Sequence, residues 1–326
     1  MRYWRATLQA QKHEGPERMD ETETPAAPYC GRFAPSPTGP LHAGSLLSAI
    51  CSYLEARRHT GRWLVRIDDI DPPRQLPGAS DAILRSLDAH GLQPDAAVTF
   101  QSSRREQHLA ALAELQAQGH LFDCGCSRSD LRAHGRPGPN GPLYPGTCRN
   151  GLPPGRQPRT LRLRVSQESD SFDDQFQGPI RTCLAETIGD FIVRRTDGLP
   201  SYHLAAAVDD GAGDISHVVR GHDLLWCTPP QRLIQRHLGL TSPLYAHLPV
   251  LVDTRGYKLS KQQGAAPLDD RQPGENLWLA LQRLQQSPPA DLRRASVDTL
   301  WQWAKTHWQP ERLRGLARVT ETDGPA

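Results

Sequence analysis

The chain has 326 residues, a formal net charge of +2, and 37% hydrophobic and 23% charged residues. This length can bury a sizeable core, and no apolar run approaches the roughly 20 residues that a membrane-spanning helix needs. We therefore expect a cytoplasmic protein with no membrane partner, and the small net charge leaves nucleic acid open as a partner. Seven cysteines in a chain without an export signal favour free thiols or a metal site over disulfide bonds.

Residues 1–28 are polar and end in a proline-rich run, so we expect a disordered tail there. The stretch 32–45 follows, in which a short apolar run leads into a turn rich in proline and glycine and then into a helical pattern. Backbone N–H groups at a helix start, together with His42 and Gly44, suit a polyphosphate ligand. The alternative is a tight strand-to-helix connection in which the prolines only shape the turn.

The next segments complete a strand–helix–strand unit. Residues 45–58 have apolar residues at helical spacing, and the apolar run 63–67 predicts a strand that ends in Asp68, Asp69 and Asp71. Ligands of open α/β sheets bind at the carboxyl ends of the strands. Alone, the three aspartates would be typical of a solvated turn; beside the predicted phosphate loop they favour a ligand site.

Helices are predicted over 79–90 and 104–118, and three thiols follow. Cys124, Cys126 and Cys148 bracket a segment with no hydrophobic pattern of its own, which indicates that a tetrahedral zinc ion replaces a missing core. The residues leave the fourth ligand open between His134 and Tyr144. The alternative is a set of reduced structural thiols.

The second half of the chain again alternates strands and helices. Residues 161–165 predict a half-exposed strand whose arginines share one face, for which a solvated face is favoured over RNA contact. Tyr202 and Arg220 lie near the ends of a predicted helix and a predicted strand. Their simpler interpretations are a core aromatic residue and a surface cation.

Only four lysines occur in the chain, and two of them, Lys258 and Lys261, lie three residues apart in a glycine-flanked loop. A mobile cationic loop suits a reaction in which negative charge develops on a leaving polyphosphate. A solvated surface loop is the alternative, because the isolated pattern is common.

The residues His42-Ala43-Gly44-Ser45 and Lys258-Leu259-Ser260-Lys261 are similar to the HIGH and KMSKS signatures of the class I aminoacyl-tRNA synthetases. The stretches 32–39, 65–71 and 219–224 resemble the glutamyl branch of that family. Only 65 residues follow Lys261, too few for a full anticodon-binding domain. In this the chain resembles the glutamyl-queuosine tRNA(Asp) synthetases, which attach glutamate to a modified anticodon base.

The resemblance implies an α/β fold, a Rossmann-like doubly wound parallel sheet with a zinc-containing insertion and a short C-terminal helical region. Residues 29–123 and 191–264 would form the two halves of the catalytic domain, and the second half would carry the lysine loop. The zinc-binding insertion and connective region would occupy 124–190, and the short helical region 265–326.

The resemblance also implies the chemistry. L-Glutamate would be activated with Mg²⁺-bound ATP and transferred to queuosine of tRNA(Asp) by an enzyme expected to be monomeric. Catalysis would use His42, Lys258 and Lys261, and ATP would contact His42, Gly44 and Lys261. The implied glutamate site comprises Arg32, Ala34, Ser36, Asp68, Tyr202 and Arg220. One structural zinc ion would be held by Cys124, Cys126, Tyr144 and Cys148, which selects Tyr144 over His134.

Three residues depart from the family pattern. Ser45 replaces the second histidine of the general signature, Gln262 replaces the final serine of the lysine motif, and Asp68 stands where glutamate is usual. The rival interpretations are a truncated glutamyl-tRNA synthetase that charges the 3′ end of tRNA(Glu), a small-molecule nucleotidyltransferase, and a non-enzymatic RNA-binding relic.

Overall fold

The computed structural model describes residues 28–139, 141–259 and 266–320. The predicted tail, apart from residue 28, and the predicted catalytic Lys261 therefore lie outside the described residues. Among the helices that are described, none combines the length and the apolar character needed to cross a bilayer.

The described elements alternate in type along most of the chain. The strands are β1 (Cys30–Phe33), β2 (Arg62–Ile67), β3 (Thr99–Phe100), β4 (Leu121–Cys124), β5 (Thr160–Leu163), β6 (Ser169–Asp174), β7 (Gly178–Cys183), β8 (Phe191–Arg194), β9 (His217–Gly221), β10 (Leu244–Leu248), β11 (Val250–Val252) and β12 (Arg318–Thr320). The helices are α1 (Ala43–Arg58), α2 (Ala79–Ala89), α3 (Arg105–Ala117), α4 (Arg128–His134), α5 (Leu184–Thr187), α6 (Tyr202–Gly211), α7 (Thr228–His237), α8 (Pro273–Arg283) and α9 (Val297–His307).

The main sheet has seven strands in the order β3-β2-β1-β9-β10-β6-β7. Neighbouring strands are parallel except in the β6–β7 hairpin at one edge. This confirms the predicted α/β class with a mostly parallel sheet. The strand order reverses direction between β1 and β9, and the crevice at such a point, outside the carboxyl ends of the strands, is where ligands bind in open α/β sheets.

Helix α1 holds this crevice in place because it packs against β1, β2 and β9. Its buried face contributes Leu46, Leu47, Ile50 and Leu54 to the main core. Burying one such side chain stabilises a fold by about 1.5–3 kcal/mol. The C-terminal helices join the same core, since the Trp301 ring of α9 lies 4.8 Å from that of Tyr53.

A smaller antiparallel sheet contains β4, β5 and β8. The strand predicted over 161–165 is present, but its predicted solvated face is wrong at Arg162, which is only 3% exposed. The Arg162 guanidinium lies 4.1 Å from the centroid of the Tyr144 ring, and its Nε donates to Cys124 Sγ at 3.3 Å. Packing against Tyr144 and Cys124 therefore buries an arginine that the alternating pattern of the strand alone placed in solvent.

Sheet membership crosses the proposed domain boundaries. The β6–β7 hairpin falls within the segment 124–190 yet extends the main sheet, and β8 falls within 191–264 yet completes the smaller sheet. The polypeptide between β4 and β9 thus contributes to both sheets.

Candidate active site

A cleft of about 580 Å³ opens at the carboxyl ends of β1 and β9. Residues that are far apart in sequence meet there, because the two strands are neighbours in the sheet. Every residue predicted to act in catalysis or to contact glutamate or ATP lines this cleft, apart from Lys261, which is outside the described residues. They are Arg32, Ala34, Ser36, His42, Gly44, Asp68, Tyr202, Arg220 and Lys258.

A buried chain of alternating charges contributes Arg32 and Asp68 to the lining of the cleft. Arg32, in β1, donates from Nε and Nη2 to the two carboxylate oxygens of Asp210 at 3.2 and 2.9 Å. Arg66 donates to Asp210 at 2.7 Å and to Asp68 at 2.6 Å. Burial alone would raise the pKa of Asp210, but the two guanidinium groups hold it well below its usual range. The protein itself therefore fixes the orientation of Arg32.

Asp68 lies in this chain of charges at the end of β2. Burial raises the pKa of its carboxyl group, and the adjacent Arg66 guanidinium offsets this only in part. The predicted amino-group contact at Asp68 thus involves a carboxylate that is already paired, so an incoming ammonium group would share it with Arg66.

Arg220, at the end of β9, also lines the cleft. Its Nε donates to His247 Nε2 at 3.0 Å and its Nη2 donates to Thr228 Oγ1 at 2.8 Å. Its Nη1 lies 3.5 Å from the hydroxyl oxygen of Tyr202, at the limit of a hydrogen bond. The simpler interpretation of Arg220 as a surface cation is therefore wrong, because the residue is buried.

His247 links Arg220 to a buried carboxylate. Its Nδ1 lies 2.5 Å from Asp174 Oδ2 and its backbone N–H donates to Asp174 Oδ1 at 3.0 Å. Burial and the Arg220 charge lower the pKa of His247 to about 4, although the Asp174 hydrogen bond acts in the opposite direction. A neutral imidazole with its proton on Nδ1 donates a hydrogen bond to Asp174 and accepts one from Arg220 at Nε2. Each of the three side chains then has a hydrogen-bond partner.

His42 begins helix α1 as its N-cap residue. Its Nδ1 accepts the backbone N–H of Ser45 at 3.3 Å, so the neutral ring carries its proton on Nε2. A Cβ atom at Gly44 would lie 3.1 Å from the His42 ring and 3.6 Å from the carbonyl oxygen of Leu259. Gly44 therefore allows the imidazole and the start of the lysine loop to approach the helix N-terminus closely.

Lys258 reaches the cleft from a short reversal after β11. The backbone N–H of Leu259 donates a hydrogen bond to the carbonyl oxygen of Leu251 at 2.8 Å, which holds the start of the lysine loop against β11. The Lys258 ammonium group forms a 2.5 Å ion pair with Asp223, which also lines the cleft. The described part of the lysine motif thus has one of its cations in the cleft.

The three predicted thiol ligands also come together, away from the cleft. The Sγ atoms of Cys124, Cys126 and Cys148 all lie within 4.8 Å of one another and are buried. The Tyr144 hydroxyl lies 3.6 Å from Cys124 Sγ and 3.9 Å from Cys126 Sγ. His134 is exposed on α4 and does not belong to the cluster. The structure therefore brings Tyr144, and not His134, to the thiols.

Sequence reasoning missed the residues that hold the cleft arginines. Neither Asp210 nor His247 is among the residues predicted for the site. A signal existed for Asp209 and Asp210, because two carboxylates in the last turn of α6 oppose the helix dipole and need partners elsewhere in the fold. His247 offers a weaker signal, a lone histidine inside the apolar strand β10.

The comparisons with known proteins agree with this architecture. The family described as "tRNA synthetases class I (E and Q), catalytic domain" matches residues 30–276. A glutamate tRNA ligase from Elizabethkingia meningosepticum, crystallised with its amino acid, has the same fold with a TM-score of 0.73 at 23% identity, over 91% of this chain and 67% of that one. The chain therefore contains a class I tRNA synthetase catalytic domain and has its fold.

Curated relatives narrow the class further. A glutamyl-Q tRNA(Asp) synthetase from Methylococcus capsulatus is 49% identical over 296 residues, which span 90% of this chain and 96% of the relative. The enzyme of the same name from Chromobacterium violaceum is 48% identical over 87% of this chain and 95% of its own. The chain belongs to the glutamyl-Q tRNA(Asp) synthetase family.

Proposed function

We propose that this protein activates L-glutamate with ATP and transfers the glutamyl group to queuosine in the anticodon loop of tRNA(Asp). The observation that carries the proposal is the match to enzymes of that name along nearly their whole length. A cytoplasmic location is part of the proposal, since that is where tRNA is found.

In the first step, the α-carboxylate of glutamate attacks the α-phosphate of ATP and pyrophosphate leaves. No protein nucleophile is needed, so catalysis rests on positioning and on charge. Arg220 suits recognition of a carboxylate, because its guanidinium is buried and oriented and one of its three donor nitrogens makes only a 3.5 Å contact, to Tyr202. Arg32 already donates from two of its nitrogens, Nε and Nη2, to Asp210, so only Nη1 has both of its N–H groups outside that pair.

The nucleotide end of the cleft is the N-terminus of α1. The Nε2–H group of His42 and the first backbone N–H groups of the helix supply donors for phosphate oxygens. Lys258 and Lys261 supply positive charge as pyrophosphate forms, and Mg²⁺ bound with ATP neutralises phosphate charge. Lys258 is paired with Asp223 through one contact, and its ammonium group carries three N–H donors, so the others can bind phosphate while Asp223 holds the side chain in the cleft.

In the second step, a queuosine hydroxyl attacks the carbonyl carbon of the glutamyl-adenylate formed in the first step, and AMP leaves. The direct test is transfer of labelled glutamate to tRNA(Asp) with and without queuosine, with tRNA(Glu) as a control. We expect labelling of the queuosine-containing tRNA(Asp) alone. Labelling of tRNA(Glu) irrespective of queuosine would overturn the proposal in favour of ordinary tRNA charging.

We further propose that Cys124, Cys126, Tyr144 and Cys148 hold one structural zinc ion. The donor set fits, because Cys126 and Cys148 Sγ lie 3.8 Å apart, close to the edge of a tetrahedron with zinc–sulfur bonds of about 2.3 Å. Zinc would tie β4 to the loop that carries Tyr144 and Cys148, where few apolar residues are available for a core.

Metal analysis tests this assignment. We expect one equivalent of zinc in the purified protein and a loss of most of it in Cys148→Ser, since the variant lacks one of the three proposed thiolate ligands. Cys183→Ser is the matched control, because Cys183 lies outside the cluster. A full equivalent of zinc in Cys148→Ser would remove Cys148 from the ligand set.

A further inference from the structure

A second cavity, of about 1080 Å³, lies between α4 and the loops that follow β2 and β8. We call it the arginine groove. Its lining includes only two carboxylates, Asp71 and Asp197, but six arginines, which are Arg74, Arg128, Arg132, Arg159, Arg162 and Arg195. The whole chain carries a net charge of only +2, so this groove concentrates positive charge locally.

Two of the six arginines are held in place by carboxylates of the groove itself. Arg195 donates to Asp197 at 2.7 Å and pairs with Asp71 at 2.9 Å. Arg74 pairs with the other oxygen of Asp71. Both guanidinium groups remain partly exposed, so their outer nitrogens stay accessible to a ligand in the groove.

Three other arginines of the groove have no such restraint. Arg128, Arg132 and Arg159 are exposed, and none of them forms a salt bridge with another of the residues that the structure describes. Exposed cations without carboxylate partners cost little to bring to an anion, because no ion pair must first be broken. Their spread along one groove suits a chain of phosphates better than a single phosphate ion.

The groove adjoins the catalytic cleft. The segment after β2 contributes Asp68 to the cleft and Asp71 to the groove, and the segment after β8 contributes Tyr202 to the cleft and Arg195 to the groove. The segment after β2 is held against the predicted phosphate loop, because the backbone N–H of Leu76 donates a hydrogen bond to the carbonyl oxygen of Pro37 at 3.0 Å. A polymer lying in the groove would therefore pass beside the site where the glutamyl group is activated.

From this placement we infer that the arginine groove binds the phosphodiester backbone of the RNA substrate and sets the approach of the accepting base to the cleft. The inference rests on the proposed function for the identity of the RNA. The binding itself is non-specific in sequence, since phosphate contacts fix position and carry no base information.

The test compares two double variants by filter binding of tRNA(Asp) at several salt concentrations. Arg132→Gln with Arg159→Gln removes two unpaired groove cations. Arg85→Gln with Arg105→Gln is the matched control, because both residues are exposed helix arginines outside the groove. Exchange of pyrophosphate into ATP without RNA checks that the cleft is intact in both.

We expect the groove variant to bind tRNA(Asp) about tenfold more weakly at low salt, with the slope of log affinity against log salt reduced by roughly 1.5. The control should match the unchanged protein. Equal affinity and slope in the groove variant, or equal losses in both variants, would overturn the inference.

This outcome is separable from that of the proposed function. Binding is measured with both queuosine-containing and queuosine-lacking tRNA(Asp), and the groove should bind both. Absence of glutamate transfer would reject the proposed function while the contrast between the two variants still decides the role of the groove.

Discussion

Arginine is used in two different ways in this protein. In the cleft, Arg32 and Arg220 are buried and hydrogen-bonded to Asp210, His247 and Thr228. In the arginine groove, Arg132 and Arg159 are exposed and have no salt-bridge partner among the described residues. The residue type is the same, but the two sets of arginines differ in solvent exposure and in whether other side chains hold the guanidinium groups.

The buried arginines suit specific recognition of a small ligand, whereas the exposed arginines suit electrostatic attraction of a polyanion. A buried guanidinium held by fixed partners presents its donors in one geometry, which suits a small carboxylate and is screened little by salt. Exposed guanidinium groups displace counterions from a polyanion, so their effect is additive and falls steeply with salt. Substitutions in the two regions should therefore have different sizes and different salt dependence.

The largest effect is expected at Arg220. Its replacement by Gln removes the hydrogen bonds that the guanidinium donates to His247 and Thr228, and with them the proposed carboxylate contact. We expect kcat/KM for glutamate in ATP–pyrophosphate exchange to fall about a thousandfold, since loss of one partner from a buried charged pair costs several kcal/mol. Exchange within fivefold of normal would show that Arg220 does not bind the substrate.

A smaller effect is expected at His247, which acts through Arg220 and is a positioning residue. Leucine at this position cannot accept a hydrogen bond from Arg220. The amide group of glutamine can accept a hydrogen bond from Arg220 and donate one to Asp174. We expect His247→Leu to raise KM for glutamate about tenfold with a smaller change in kcat, and His247→Gln to recover most of the loss. Equal losses in the two variants would indicate a packing role only.

The smallest effect concerns stability against pH, and it too separates the two regions. Burial lowers the pKa of His203, His217 and His247 to about 4, below the value of about 6.5 in an unfolded chain. Between these values the unfolded state binds more protons, so the stabilisation that is complete above pH 6.5 is lost as the pH falls towards 4.

Chemical unfolding at a series of pH values measures this loss, which is at most ~1.4 kcal/mol per pH unit for each histidine. His247→Gln should reduce the slope between pH 4 and 6.5, because only the contributions of His203 and His217 then remain among these three histidines. The Arg132→Gln, Arg159→Gln double variant should leave it unchanged, because those arginines remain charged throughout. An unaltered slope in His247→Gln would mean that His247 is not held neutral by the fold.

The sequence predicted the parts of the cleft that follow from local patterns. The predicted phosphate loop, the aspartates after the run 63–67 and Arg220 each lie at the carboxyl end of a predicted strand. Carboxyl ends of parallel strands share one edge of the sheet, so the fold class alone predicts that these residues lie close together. The supporting residues could not be predicted, because Asp210 and His247 approach the cleft from α6 and β10 through tertiary packing. Arg162 was misassigned for the same reason, since alternation along a strand does not show what covers its outer face.

One measurement tests the distinction between the two regions most directly. KM for glutamate in exchange and KM for queuosine-containing tRNA(Asp) in glutamate transfer are measured from 50 to 200 mM salt in otherwise identical buffers. We predict that KM for glutamate changes less than about twofold, whereas KM for the tRNA rises by roughly a factor of ten or more. The same salt dependence for both substrates would contradict the account.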